Sequence, residues 1–215
     1  NDYLAAHKLS WARYPELIKA LYLQLEQSEY YKKYMTSQER SFREDLALVT
    51  DFYTNELESS EMLEEVLDEQ SILWNDDLGF ALIMVTRTLS NMRQSHRDVK
   101  VLPKFKSEED LEFAKELFEK AAVNYDSNLE VIEQFTRNWD IERIAFMDNV
   151  IMVTAMAELT SFPSIPVKVT LDEYIEIAKY YSTASSSTFI NGVLDKVVNT
   201  LTEEGRINKS GRGLI

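Results

Sequence analysis

WDIERIAFMDNVIMVTAMAELTSFPSIPVKVTLDEYIEIAKYYSTASSSTFINGVLDK, residues 139–196, is the stretch whose pattern decides how the chain folds. Ile144, Met147, Ile151, Ala155 and Leu159 recur every three or four positions, which lays an apolar stripe along one face of a helix. FPSIP at 162–166 stops that helix, because proline lacks an amide donor and disfavours helical geometry in the residue before it. Thr170 and Glu173 then stand at capping-box spacing and predict the opening of a second helix, with Leu171, Tyr174, Ile175, Ala178 and Tyr181 inward. STASSST at 182–188 breaks this second helix and offers hydroxyl caps for a third. Ile190, Val193, Leu194, Val197 and Leu201 form the inward face of that third helix.

Gly192 sits one turn inside the third helix, where glycine costs about 1 kcal/mol relative to alanine. Its presence suggests close approach of another backbone or of a ligand. A hydroxyl-rich loop, the Phe189 ring, the Asn191 amide and the free donors of a helix start together suit a single-stranded RNA. The plainer reading of the same residues is a capped helix whose Phe189 belongs to the core. Both stay open on this stretch alone.

An ordered series of residues adds to this. It runs through Trp139, Arg143-Ile144, Asp148, Ile151, Glu158-Leu159, Pro163, Ile165-Pro166, Val169, Leu171-Asp172-Glu173 and Ala178-Lys179. It closes on Phe189-Ile190-Asn191-Gly192-Val193-Leu194-Asp195. The series resembles the NusB family of transcription antitermination factors. Trp74 followed by Asn75-Asp76-Asp77, and the layout before residue 105, are similar to a longer variant of that family.

The resemblance implies an all-α, NusB-like helical bundle carrying an additional N-terminal helical half, with units over 1–105 and 106–215. It implies a cytoplasmic RNA-binding factor that pairs with NusE, a small-subunit ribosomal protein. Together they bind the boxA element of nascent ribosomal RNA within an RNA polymerase antitermination complex. By position, Ser186, Thr188, Phe189, Asn191 and Lys196 would face RNA, and Asp148 would lie where the family meets NusE. The family's arginine-rich first helix does not occur in these 215 residues, so its role is expected upstream of Asn1 or in the linker and tail. The alternative is a helical protein-interaction or RNA-substrate-binding module without an antitermination role, since one fold serves several functions.

Composition narrows the classes further. The formal charge of −14, with 37 acids against 23 bases, excludes nucleic-acid binding by bulk electrostatics but leaves room for a local basic patch. The chain has no cysteine, hence neither disulfides nor thiolate chemistry. No apolar run approaches the ~18 residues of a membrane span. His7 and His96 stand apart from acids at ligand or catalytic spacing, and neither a nucleophile elbow nor a phosphate loop occurs. The reading is therefore non-enzymatic, with no metal and no cofactor. The chain opens on Asn1 rather than methionine, so a preceding segment is expected.

Pro15 predicts a helix start, followed by a helix burying Ile18, Leu21 and Leu25. Thr36 and Glu39 form another candidate capping box, ahead of Phe42, Leu46, Val49, Tyr53 and Leu57. Ser59 or Ser60 caps a short acidic helix with Met62, Leu63, Val66 and Leu67, and a longer helix follows over 75–93. The linker at 93–107 concentrates Arg93, Arg97, Lys100, Lys104 and Lys106 against one acid, Asp98. That makes Arg97, Lys100 and Lys104 candidate phosphate contacts. Beyond it, Ser107 and Asp110 open a helix whose Leu111, Ala114, Phe118, Ala121 and Tyr125 share a face. The tail from Glu203, with Arg206, Lys209 and Arg212, reads as a mobile basic arm.

Overall fold

A computed structural model describes residues 6, 10–39, 41–95, 101–136 and 144–214. The described residues form ten α-helices and short helical turns, with no strand. They fall into two compact units divided between Pro103 and Lys104.

In the N-terminal unit, α1 (Pro15–Gln27) begins with proline at its first turn, where a missing amide donor is harmless. Ser28 ends it and caps α2 (Glu29–Thr36), accepting from the Tyr31 amide. α3 (Phe42–Phe52) runs into a π-helical turn (Tyr53–Leu57), followed by α4 (Glu61–Asp68) and α5 (Trp74–Ser90). The expected Thr36–Glu39 box does not form. Thr36 is the last residue of α2, and Ser41 caps α3 by accepting from the Glu44 amide. Ser60 caps α4 in the same manner. Among the described residues, Leu17, Leu21, Leu63 and Leu67 form this unit's closed apolar cluster. Ile18, Val49 and Met62, expected inward, are at least 40% exposed.

The C-terminal unit is denser. α6 (Glu108–Val123) opens with a complete Ser107–Asp110 capping box. α7 (Tyr125–Thr136), α8 (Phe146–Ser161), α9 (Val167–Tyr181) and α10 (Ser186–Glu203) follow. The apolar stripe foreseen on α8 understates the helix. Ile151, Met152, Val153, Ala155, Met156, Ala157 and Leu159 are all buried, because α8 is central and packs against α6, α7, α9 and α10. A helix apolar on all sides is a buried helix. α6 is rotated from its expected face. Phe118 is 75% exposed, and Phe113 instead packs edge-on against Phe162 with centroids 4.9 Å apart.

Two further expectations are corrected here. α9 starts at Val167, a turn before Thr170, so Thr170 is no cap. Buried within the helix, it donates to Glu158 Oε1 on α8 at 2.7 Å, and Tyr174 donates to Glu158 Oε2 at 3.2 Å. The tail is not a free arm. Gly205, at φ +68°, ends α10 with Gly205 N–H donating to Thr202 and Arg206 N–H to Leu201, the crossed bonds of a Schellman stop. Ile207 then enters the core, Lys209 Nζ donates to the Phe162 carbonyl at 3.0 Å, and Ser210 N–H to the Pro163 carbonyl at 2.9 Å.

Candidate nucleic-acid interface

The mouth of α10 is built by hydroxyls, though not as helix caps. Ser185 occupies the cap position without a side-chain cap bond. Ser182 donates to Asp148 Oδ1 on α8, Ser186 Oγ donates to Ser182 Oγ at 3.1 Å, and the Thr183 amide donates to Ser186 Oγ at 3.2 Å. Thr183 Oγ1 lies 2.7 Å from Ser186 Oγ. This relay ties the first turn of α8 to the entrance of α10.

The relay changes the standing of two expected site residues. Ser186 is buried, its hydroxyl spent on Ser182 and Thr183, and it does not face solvent. Asp148 is buried as well and meets Ser182, so its carboxyl is not presented to a partner. Both organise the loop from inside. Short polar side chains bond one another and their own backbone when the chain turns tightly, which a linear pattern of serines does not distinguish from a ligand-facing row.

Other expected residues reach the surface. Thr188, Asn191 and Lys196 are exposed on α10, and their spacing puts them along one side of the helix. Asp195 and Asn199 share that exposed side, while Ile190, Val193, Leu194, Val197 and Leu201 fill the opposite one. Phe189 is half-buried and packs against the core cluster. A methyl group added at Gly192 would meet nothing within 4 Å. No neighbouring helix therefore requires that glycine, and the space beside it is open.

Lys104 is exposed, with Nζ 5.6 Å from the centroid of the Phe105 ring. Arg97 and Lys100 lie outside the described residues. Among the described residues no group of three acids or histidines is placed to hold a metal ion. No described helix is long and apolar enough to cross a membrane.

Sequence reasoning missed the buried cluster around Glu158. Burial, then the adjacent Glu158, push the Tyr174 hydroxyl well above its ordinary range, and burial lowers the Lys209 ammonium while Glu158 opposes that shift. The only linear signal was a glutamate within an otherwise apolar helix, at 158 in AMAEL. Among the described residues no buried side-chain nitrogen or oxygen lacks a hydrogen-bond partner.

The sequence is similar to those of known proteins. A transcription antitermination protein NusB from Salinibacter ruber is 46% identical over 104 residues, covering 48% of this chain and 65% of the relative. The protein of that name from Chloroherpeton thalassium is 44% identical over 84 residues, covering 39% of this chain and 40% of the relative. That from Natranaerobius thermophilus is 42% identical over 74 residues, covering 34% and 53% respectively. The chain thus spans about half the length of the curated relatives it matches. A solved structure of T. maritima NusB aligns at 23% identity with a TM-score of 0.41, covering 75% of this chain and 93% of that one. The sequence model of the NusB family matches residues 80–199, more than half of the 215 residues, and the chain belongs to the NusB family.

Proposed function

We propose that this chain is a non-enzymatic, cytoplasmic, RNA-binding transcription antitermination factor that reads single-stranded RNA with the exposed side of α10. The observation that carries the reading is the solvent-facing row of Thr188, Asn191 and Lys196 around an open Gly192. Asn191 and Gly192 lie within the F-I-N-G-V-L-D segment that carries the family resemblance, and Thr188 and Lys196 flank it. Asn191 offers both a donor and an acceptor for an unpaired base edge, and Thr188 adds a hydroxyl. Lys196 supplies the phosphate contact, and the exposed part of Phe189 supplies a surface for stacking. Ser186 and Asp148 act one step back, holding the loop that presents these groups. Arg97, Lys100 and Lys104 add phosphate contacts from the linker. The RNA is a boxA-type strand of nascent ribosomal RNA, bound together with NusE in an RNA polymerase antitermination complex.

Fluorescence anisotropy with a labelled boxA-type single strand tests this. Phe189→Ala should weaken binding by about 1 to 3 kcal/mol, the scale of one stacking contact. Because Phe189 also touches the core, the cleaner variants are Asn191→Ala and Lys196→Ala, whose side chains are exposed. Both should bind more weakly, and Lys196→Ala should flatten the salt dependence. Parental affinity in both would remove α10 from the interface.

A further inference from the structure

The N-terminal unit holds an apolar groove of about 550 Å³ that plays no part in the RNA reading. Ile18 and Tyr22 of α1, Leu57 of the π-helical turn, Leu63 of α4, and Trp74 and Leu78 of α5 line it. Leu63 forms part of the closed core, whereas Ile18 and Tyr22 are 43% and 49% exposed, so the groove opens to solvent along α1. The π-helical turn belongs to its wall, and such turns recur where a helix is reshaped for a ligand.

Acids outnumber bases on the helices around the groove. α4 carries Glu61, Glu64, Glu65 and Asp68 with no lysine or arginine, and α5 begins with Asp76 and Asp77. On α1, Tyr22 donates to Glu26 Oε1 at 2.8 Å, which sets an acid beside the groove's open edge. An apolar trough among acids complements a helix with one apolar face and basic flanks. A fatty acid would bring its own carboxylate against those acids. A second copy of a chain with net charge −14 would meet similar repulsion.

We propose that this groove docks a basic amphipathic helix of a partner protein. The probe is a labelled synthetic Leu/Lys helix with leucines at i, i+3, i+4 and i+7, compared with a scrambled peptide of identical composition. Both are titrated against the full chain by anisotropy. The patterned peptide should bind saturably, more weakly as salt rises, and at least tenfold more tightly than the scramble. Ile18→Glu, at an exposed position, should lose at least tenfold while RNA binding is retained, and Tyr22→Lys serves if circular dichroism shows Ile18→Glu unfolded. Equal binding of the two peptides, no binding of either, or parental affinity in the folded groove variant would overturn the proposal. So would sedimentation showing a parental dimer that the groove variant dissociates.

Discussion

The two units of this chain use similar numbers of residues to opposite ends. Residues 104–215 enclose a cluster in which Met152, Met156, Leu194, Val197 and Leu201 are fully buried. Among the described residues of 1–103, four leucines form the closed cluster, and aromatic and aliphatic side chains surround an open groove. The difference arises from one helix. α8 is buried nearly all round from Ile151 to Leu159 and gives four neighbours a common centre. No described helix of the N-terminal unit is buried in this way, and each leaves at least one large apolar side chain exposed.

That contrast can be broken or sharpened by mutation. Leu194→Ala removes a wholly enclosed side chain and should cost about 3 to 5 kcal/mol, near the upper end for leucine truncation. Leu21→Ala, beside the groove, should cost nearer 2 kcal/mol because its surroundings can relax. Urea unfolding measures both, and a reversed order would dissolve the distinction between the units.

Gly213→Ala probes the docked tail. Its added carbon would lie 2.2 Å from the Pro163 carbonyl oxygen, so the contact must shift, at about 1 to 3 kcal/mol for an overpacked site. Faster amide exchange at Ser210 would report release of the tail. An unchanged exchange rate would mean that the contact is dispensable.

The Glu158 cluster gives the C-terminal unit a pH dependence. Tyr174 is raised in the folded state, so its contribution is fully present below the unfolded tyrosine value of about 10 and is lost as pH climbs through the higher folded value. Lys209, lowered, works weakly in the opposite direction. Stability should therefore fall above pH ~10, and Tyr174→Phe should flatten that alkaline limb in a pH series of denaturant titrations.

The smallest effect has the opposite sign. Gly192→Ala meets open space inside a helix and should stabilise by about 0.5 to 1 kcal/mol. If RNA occupies that space, the same variant binds it more weakly. Higher stability with unchanged RNA affinity would leave the glycine without a ligand role.

Much of the local structure was legible. Pro15, Ser60 and the Ser107–Asp110 box mark helix starts in the folded chain as they do in the sequence, because capping depends on neighbours within one turn. The boxes at Thr36 and Thr170 were misread because a motif of two residues says nothing about which of several nearby turns wins. Pro166 starts α9 one turn early and frees Thr170 to meet Glu158. At the candidate site, the exposure of Thr188, Asn191 and Lys196 follows from the apolar period of α10. The burial of Ser186 and Asp148 does not, since it rests on a relay between residues 34 apart.

The amino-acid order by itself determined the all-helical class, the three helices of residues 144–201 and the family, all of which rest on short-range period and residue identity. Only the tertiary structure decided that α8 is the hub, that the tail is docked on Phe162 and Pro163, and which hydroxyls turn inward. Those outcomes depend on which surfaces meet across long sequence separations. A helix exposes the same pattern whichever neighbour comes to cover it.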